Sequence, residues 1–365
     1  MKNINFNKYL EEHSSGYVIK IMKPDFNIET LVIGNRQILP STLPMTEDCL
    51  FDIASLTKIF TAILIYQAIE ENLINLNNTI SSIEPKLSNL DSVTILDLLS
   101  HRVECWTNGY LGDAKTKEEF YNVLYTAYVK NKRRLYVDTH YIILSTILEK
   151  IYNKSYIELV LEKIAKPLKL KNVKFICEET DIVASNNFEV IADKITEDIH
   201  AGLIHDPKGR LAQKLGIGLG HAGIFITADD MMKILMSLVD DKELLLKNST
   251  IEKMFQYDNI ETEILNQVKN NIGNIYKTYN YCGTRYPNPI SELNDVPKKA
   301  SSNSIIFSGY TGPIFMIDFD RKIIILIMAN VCHNSKLNRY ERYDISKSLV
   351  NELYNHMIMP KSIKK

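Results

Sequence analysis

The chain has 365 residues, enough to bury a large core in one or two domains. Its 43 basic and 44 acidic side chains leave a formal net charge of −1, which excludes a global field that attracts nucleic acid or an anionic membrane. The hydrophobic fraction of 45% and the charged fraction of 24% are those of an ordinary globular protein.

The five cysteines lie far apart, and no two have Cys-x-x-Cys spacing. This argues against a disulfide framework or a zinc cluster and suits a reducing compartment. The N-terminal MKNINFNKYLEEH has no apolar segment typical of signal peptides, and the longest apolar runs are too short to cross a bilayer. The sequence as given therefore predicts a cytoplasmic protein without a membrane span, and it leaves the oligomeric state open.

Extended segments dominate the first fifty residues. Residues 3–12 predict a short helix, and GYVIKIMK and IETLVIGN, on either side of a Pro-Asp-Phe-Asn turn, predict a β-hairpin. CLFDIA predicts a third strand that leads into the stretch FDIASLTKIF. From Ser55 to about Asn72, apolar residues recur at helical spacing with few polar residues between them, which predicts a largely buried helix.

Helical patterns predominate between about residues 75 and 260. VTILDLLSHR predicts a helix capped by Thr94, and TADDMMKILMSLVDD predicts another capped by Thr227. THYIILSTILEKIYNKSYIELVLEKIAKPL predicts a helix pair, whereas residues 186–218 are polar and predict irregular structure.

Strand patterns return near the C-terminus in NSIIFSGY, GPIFMIDFD and KIIILIMAN, and a helix is predicted over about residues 339–356. Strands at both ends predict an α/β (α+β) fold, in which one antiparallel sheet is built from both chain ends and flanked by helices. We expect residues 1–75 and 275–365 to form this sheet domain, and residues 76–274 to form an inserted, mainly helical domain. Because clefts form where such units meet, we expect the active site between them.

Ser55 and Lys58, spaced Ser-x-x-Lys, are the first candidates for chemistry. A serine hydroxyl is a weak nucleophile until a base removes its proton. Residues three apart on a helix lie about 5–6 Å apart at Cβ, so the amine can reach the hydroxyl. Apolar neighbours favour a neutral amine, and the helix N-terminus favours negative charge at the serine. The alternative is an N-cap serine and a surface lysine.

Two later segments supply further candidates. Tyr136 precedes a predicted helix, where a phenol could protonate a leaving group or share the role of base; the alternative is a packing residue. In FSGYTGPIFMIDF, the small residues Ser308 and Gly309 leave room for a substrate along the strand edge. The backbone N–H groups of Tyr310 and Ser55 could form an oxyanion hole, and the alternative there is a plain hairpin.

Other polar and aromatic residues are weaker candidates. His205 and His221 are interpreted as pocket-lining residues rather than members of a Ser-His-Asp triad, because no Gly-x-Ser-x-Gly elbow accompanies them. Trp106 either borders the pocket or packs in the interior. The sequence contains neither a phosphate-binding loop nor a dinucleotide fingerprint, so we expect no cofactor and no metal.

Taken together, these motifs resemble the serine β-lactamase and penicillin-binding-protein superfamily, in particular its class C-like branch of esterases, D-aminopeptidases and acyltransferases. LFDIASLTKIFTA matches the nucleophile helix, with Ser55 and Lys58 in the catalytic positions. YVDTHYIILSTILEKI matches the Tyr-x-Asn motif through Tyr136. VTILDLLSHR, GLIHDPKGRLAQKLGIGLGHAGIFITADDM and FSGYTGPIFMID resemble further family segments, all in the family's order between about residues 16 and 330.

Two positions depart from the family pattern. Asp138 replaces the usual asparagine; an ionised aspartate only accepts hydrogen bonds, and pairing with Lys58 would hold that lysine charged. Phe307 replaces the cationic or imidazole residue of the third motif and offers no donor to a substrate carboxylate. Both departures point away from an efficient β-lactamase or cell-wall peptidase.

The resemblance implies a serine hydrolase or acyltransferase that acts on a small-molecule ester or amide through an acyl-enzyme on Ser55. Lys58 and Tyr136 would act as general base and acid, and water or a second acceptor molecule would release the acyl group. Substrate contacts are expected from Trp106, Asp138, His205, His221, Phe307, Ser308 and Gly309. Two alternatives stay open: a penicillin-recognising β-lactamase or D-Ala peptidase, and a non-catalytic binding or scaffolding protein that retains the fold.

Overall fold

The computed structural model describes residues 4–186, 201–256, 279–286, 295–333 and 337–358, together with the backbone of 190–191 and 194–195. Its α-helices are α1 Phe6–Glu12, α2 Thr57–Glu70, α3 Ile80–Ile83, α4 Ile95–Leu99, α5 Lys117–Leu124, α6 Thr139–Tyr152, α7 Tyr156–Val160, α8 Pro207–Lys214, α9 Ala228–Met236, α10 Asn248–Met254 and α11 Arg339–Ile358. Its strands are β1 Gly16–Met22, β2 Ile28–Gln37, β3 Leu43–Pro44, β4 Leu50–Asp52, β5 Glu104–Trp106, β6 Tyr128–Asn131, β7 Val173–Lys174, β8 Val190–Ile191, β9 Lys194–Ile195, β10 Phe225–Thr227, β11 Ser304–Ser308, β12 Ile314–Asp318 and β13 Ile323–Ala329.

Strands from both chain ends form one antiparallel sheet in the order β11-β12-β13-β1-β2-β3. β1 and β2 form the predicted hairpin, and β1 also pairs with β13, with Tyr17 opposite Ala329. The prediction of a single antiparallel sheet assembled from both termini is therefore confirmed.

Alternating side chains of the central strands bury both faces of this sheet. In β13, Ile324, Leu326 and Met328 lie in the core that the inner helices share. Ile325 and Ile327 point to the other face, where they join a core containing side chains of α1 and α11. Because successive strand residues face opposite sides, a run without polar residues predicts a strand covered on both faces.

The helix α2 lies at the centre of the helical layer. Every residue from Thr57 to Ala68 is buried, as its nearly continuous apolar sequence predicts. α2 packs against α6, and α9 packs against β1 and β13. The predicted N-caps Thr94 and Thr227 are both present, each accepting a backbone N–H in the first turn of its helix.

The strand predicted from CLFDIA exists as β4, but it pairs with β10 and not with the main sheet. β10 and α9 both lie between residues 76 and 274, the range expected to form the inserted domain. This range therefore supplies the strand that pairs with β4 and a helix that packs against the main sheet. The expected boundary between residues 274 and 275 lies outside the described residues.

The prediction of irregular structure between residues 186 and 218 is wrong for the later part of this segment, which contains α8. Asp206 caps this helix by accepting the N–H of Gly209, and Pro207 occupies its first turn. Aspartate followed by proline is a recognised helix start, so the signal was present in the sequence. Among the described helices, none combines the length and the apolar character needed to cross a membrane.

Leu326→Ala is expected to lower the free energy of unfolding by about 3 kcal/mol, because it removes a buried side chain and leaves a cavity. Leu326 is 0% exposed in the middle of β13. The matched control is Leu73→Ala, since Leu73 is 49% exposed and its truncation should change stability by less than about 0.5 kcal/mol. Urea denaturation measures both; equal midpoints would contradict the core position of Leu326.

Candidate active site

Ser55 lies in a tight turn between β4 and α2. The short 3₁₀ helix Ala54–Leu56 follows β4, and α2 begins at Thr57, two residues later than the helix expected from the sequence. Ala54 has φ +44°, a left-handed conformation that costs a residue with a Cβ about 1 kcal/mol or more. The serine that follows this strained residue lines a cleft.

The Lys58 amine lies directly beside Ser55. Its Nζ donates to Ser55 Oγ at 3.2 Å, to Asp138 Oδ1 at 3.0 Å and to the main-chain oxygen of His221 at 3.1 Å. The side chain is only 1% exposed, so these contacts replace solvent around the ammonium group. The structure thus brings together Ser55 from the turn before α2, Lys58 from α2 and Asp138 from the start of α6.

The pKa of Lys58 is raised well above its ordinary value. Burial by itself lowers this pKa, but the Asp138 carboxylate and Tyr136 raise it, and their effect prevails. The expectation that apolar neighbours keep the amine neutral is therefore wrong, whereas the alternative that Lys58 pairs with Asp138 is confirmed by the 3.0 Å distance between Nζ and Oδ1. Burial raises the pKa of Asp138, but Lys58, His221 and Lys208 outweigh it and hold that pKa well below the ordinary range.

Opposite charges continue across the cleft wall beyond Asp138. Lys208 Nζ lies 3.2 Å from Asp138 Oδ2 and 3.1 Å from Asp206 Oδ2. His221 Nε2 lies 3.0 Å from Asp206 Oδ1, and its other ring nitrogen, Nδ1, is buried and has no hydrogen-bond partner among the residues that the structure describes. Each carboxylate thus contacts two basic side chains, which keeps both carboxylates ionised in the cleft that Ser55 also lines.

Asp138, Asp206 and His221 are the one group of potential metal ligands found among the described residues, with ligand atoms within 4.8 Å of one another. Their carboxylate oxygens already contact the ammonium groups of Lys58 and Lys208. A divalent cation would have to displace or neutralise these lysines, so the donor set does not fit a resident metal.

Tyr136 stands beside the lysine in the turn that precedes α6, as predicted. Lys58 Nζ lies 4.9 Å from the centre of its ring. The Tyr136 ring packs against the imidazole of His101, with the two ring centres 4.5 Å apart. His101 in turn forms a 2.8 Å hydrogen bond with His140 between their Nδ1 atoms. This packing limits the positions that the phenol can take relative to the amine.

The cleft has a volume of about 920 Å³ and is lined by most of the residues predicted from the sequence. Predicted residues that line it are Ser55, Trp106, Tyr136, Asp138, His205, His221 and Tyr310. Trp106 is 41% exposed, and its indole N–H donates to the buried Glu104 at 2.9 Å. Tyr310 is 45% exposed and stacks on His205, with ring centres 5.2 Å apart.

Phe307, Ser308 and Gly309 are not among the residues that line the cleft, and the predicted contact of Phe307 with substrate requires correction. The Phe307 side chain is 3% exposed and packs in the core against Phe315, because its position on β11 faces inward. Gly309 has a different role: a Cβ there would lie 2.5 Å from the main-chain oxygen of Ile53. The glycine therefore lets the end of β11 pack directly on the turn that carries Ser55.

Several cleft residues were missed by the sequence analysis. Lys208 and Arg210 come from α8, Arg339 from the start of α11, and Tyr110 from the segment after β5. Only the α8 residues had a usable signal, because Asp206 and Pro207 mark a helix start inside a segment resembling a pocket loop. Tyr110 and Arg339 reach the cleft through long-range packing that no local pattern reveals.

Comparisons with known proteins place this architecture. Residues 27–348 match the family profile described as β-lactamase. The chain is 24% identical over 315 residues to teichoic acid D-alanine hydrolase of Staphylococcus aureus, which covers 85% of this chain and 69% of the relative. A mutant of simvastatin synthase (LovD) from Aspergillus terreus superposes with a TM-score of 0.72 at 17% identity, over 96% of this chain and 93% of the other. EstCE1, a hydrolase with promiscuous acyltransferase activity, superposes with a TM-score of 0.70 at 18% identity, over 94% and 96%.

The chain belongs to the β-lactamase family, which confirms the resemblance carried by its motifs. The expected β-lactamase/transpeptidase-like fold is confirmed as well. The relatives include a hydrolase and a hydrolase with promiscuous acyltransferase activity, in line with the expectation of a serine hydrolase or acyltransferase of this family.

Asp138→Asn is expected to lower the free energy of unfolding by about 2 kcal/mol near pH 7, because the buried Lys58 loses its carboxylate partner. The folded state depresses the pKa of Asp138, so this stabilisation is present above about pH 4 and is lost as the pH falls further. The difference from wild type should therefore shrink toward low pH. Urea midpoints from about pH 3 to about pH 8 measure this change.

The control for this prediction is Asp91→Asn, because Asp91 is exposed and its replacement should have little effect at any pH. A difference between wild type and Asp138→Asn that grows on acidification would contradict the assigned direction of the Asp138 pKa.

Proposed function

We propose that this protein is a serine hydrolase or acyltransferase that forms an acyl-enzyme on Ser55 from a small ester or amide. The observation that carries the proposal is the 3.2 Å contact between Ser55 Oγ and Lys58 Nζ, made by a serine that opens onto a cleft of about 920 Å³. A nucleophile within hydrogen-bond reach of its base, at the edge of a concave site, is the arrangement that acyl transfer requires.

In acylation, Ser55 Oγ bonds to the carbonyl carbon of the substrate as its proton passes to the neutral form of Lys58, assisted by Tyr136. The proton then goes to the departing alcohol or amine as its bond to the acyl carbon breaks. In the second half-reaction, water or another acceptor bonds to the acyl carbon as it loses a proton to the same groups, and that proton passes to Ser55 Oγ as the bond between Oγ and the acyl carbon breaks. Hydrolysis and acyl transfer differ only in this acceptor.

Negative charge that develops on the substrate carbonyl oxygen needs donors aimed at it. We assign this role to the backbone N–H groups of Ser55 and Tyr310, each worth on the order of 3 kcal/mol. The close packing of Gly309 on Ile53 supports the assignment, because it sets the strand end that leads to Tyr310 against the nucleophile turn. Preorganised donors of this kind cost no rearrangement during the reaction.

The choice of substrate follows from charge and shape. The exposed rings of Trp106, Tyr110 and Tyr310 at the cleft suit an acyl or alcohol group with apolar surface. The buried Phe307 side chain supplies no donor for a carboxylate of the β-lactam type, which ranks the penicillin-recognising alternative lower. Because one relative is named for D-alanine hydrolysis from teichoic acid, D-alanyl esters join the acyl donors to be tested.

The second candidate function is a non-catalytic binding or scaffolding role, and one observation favours it. Lys58 is paired with Asp138 at 3.0 Å and its pKa is raised, which is the state expected of a lysine that does not serve as a base. Formation of an acyl adduct on Ser55 separates the two candidates. The proposal of a serine hydrolase or acyltransferase also includes a small-molecule acyl donor, a second acceptor molecule in the case of acyl transfer, and the cytoplasmic location expected from the sequence.

Ser55→Ala is expected to abolish covalent labelling by a fluorophosphonate probe, because no other group in the proposal attacks the reagent. Intact-protein mass spectrometry measures the adduct, first with the probe and then with a panel of short-chain p-nitrophenyl esters, D-alanyl esters, D-amino amides and penicillins. The mass added to wild type identifies the acyl group that the cleft accepts.

The matched control is Ser82→Ala, since Ser82 is exposed and lies outside the cleft. It should label like wild type. Equal labelling of wild type and Ser55→Ala would refute Ser55 as the nucleophile. A wild type that no member of the panel acylates would support the non-catalytic candidate.

Asp138→Asn is expected to raise the acylation rate near pH 7 and to move the acid limb of its pH profile to lower pH by about one to three pH units. The carboxylate raises the pKa of Lys58, so its removal lowers that pKa and increases the neutral, basic fraction of the amine. Rates of p-nitrophenyl ester acylation from about pH 5 to about pH 10 provide the profile.

Asp206→Asn is the comparison variant, because Asp206 contacts Lys208 and His221 rather than Lys58 and should move the limb less. If Asp138→Asn instead leaves the acid limb in place, Lys58 is not the base whose protonation limits the reaction.

A further inference from the structure

Asp52 is a buried carboxylate that the proposed reaction does not use. It is the last residue of β4, it is 1% exposed, and its two oxygens accept hydrogen bonds from different segments. Oδ1 accepts the N–H of Ala54 at 2.9 Å, and Oδ2 accepts the N–H of His205 at 2.8 Å. Burial raises the pKa of this carboxyl above its ordinary value, although the two N–H donors act in the opposite direction.

The first of these bonds acts on the strained residue before Ser55. Ala54 has φ +44°, and left-handed conformations of residues other than glycine persist only where surrounding contacts enforce them. The acceptor Oδ1, two residues earlier in the chain, closes an Asx-type turn that ends at the N–H of this residue. The carboxylate therefore stabilises the backbone conformation from which Ser55 projects.

The second bond ties this turn to an adjoining wall of the cleft. His205 lines the cleft, and the next residues along the chain contain Asp206 and Lys208, which contact the Asp138 charge network. The main-chain oxygen of Asp52 also accepts a 2.6 Å hydrogen bond from Thr311 Oγ1, next to Tyr310. One residue thus links the nucleophile turn, the His205 segment and the segment carrying the proposed oxyanion donor.

We propose that Asp52 is a positioning residue that holds Ser55 in its reactive orientation and in register with the His205 wall of the cleft. The inference rests on the proposed role of Ser55 as nucleophile. Its physical basis is distance dependence: a displacement of about 1 Å at a reacting group can cost on the order of 10²-fold in rate. Asp52 touches neither substrate nor reacting atoms and acts through the backbone alone.

Asp52→Asn is the main test because it alters one hydrogen bond rather than two. An asparagine side chain has one acceptor oxygen, and its NH₂ group cannot accept from a backbone N–H. We expect the second-order rate of fluorophosphonate labelling at Ser55 to fall about 10-fold in Asp52→Asn and on the order of 10²-fold in Asp52→Ala. Hydrogen–deuterium exchange should increase in peptides covering residues 50–57 and 203–210.

Asp230→Ala is the matched control for loss of a buried carboxylate. Asp230 is 2% exposed, accepts the N–H groups of Lys171 and Asn172 at 2.7 Å, and does not line the cleft. Its replacement should lower the melting temperature and increase exchange near residues 171–172, with Ser55 labelling at the wild-type rate. A destabilised fold without slower acylation is therefore the signature of a structural carboxylate.

The outcomes separate the inference from the proposed function. One outcome is that the wild-type protein is labelled at Ser55 and that Asp52→Asn has the same labelling rate and the same hydrogen–deuterium exchange as wild type. This outcome overturns the positioning role and leaves the proposed function standing. Asp230→Ala slowing acylation as much as Asp52→Ala also overturns it, because loss of stability then explains both. A wild type without an adduct on Ser55 overturns the proposed function and the positioning role with it, whatever the exchange data show.

Discussion

A single buried ammonium group connects the parts of the chain that make up the cleft. Lys58 projects from α2 and donates to the serine of the preceding turn, to the carboxylate before α6 and to the main-chain oxygen of His221. An ammonium ion at this depth is stable only with such partners, since transfer of an unpaired charge from water into the interior costs several kcal/mol. The constraint thus fixes three distant segments, and the cleft forms where they meet.

The same ion pair sets the chemical character of the site. A lysine whose pKa is raised by Asp138 rests in its charged form, which organises hydrogen bonds and opposes its use as a base. Lys208 lies within ion-pair distance of both carboxylates, and His221 contacts the second one, so neither carboxylate depends on a single partner. The ion pair holds the geometry of the site but lowers the neutral, basic fraction of the Lys58 amine. The residue responsible is Asp138, which stands where the family usually has asparagine.

Backbone contacts, in addition to the charged groups, hold the turn that carries Ser55. Ala54 adopts a left-handed conformation beside the nucleophile, Asp52 accepts its N–H, and Gly309 allows β11 to reach within van der Waals distance of Ile53. Strain of this kind persists because the surrounding segments over-determine the turn. Ser55 is consequently presented to the cleft by packing and hydrogen bonds that come from several strands, and not by helix geometry alone.

Much of this arrangement was determined by the sequence itself. The strand patterns at both chain ends predicted one antiparallel sheet, the spacing of Ser55 and Lys58 predicted their contact, and the motif order predicted the family. Local patterns could not decide that Phe307 turns into the core, that Lys208 reaches Asp138, or that Asp52 accepts from His205, since each depends on segments distant in the chain. Periodicity reports which face of an element is buried, whereas the partner across that face, and hence the charge state of Lys58, is decided only when the chain has folded.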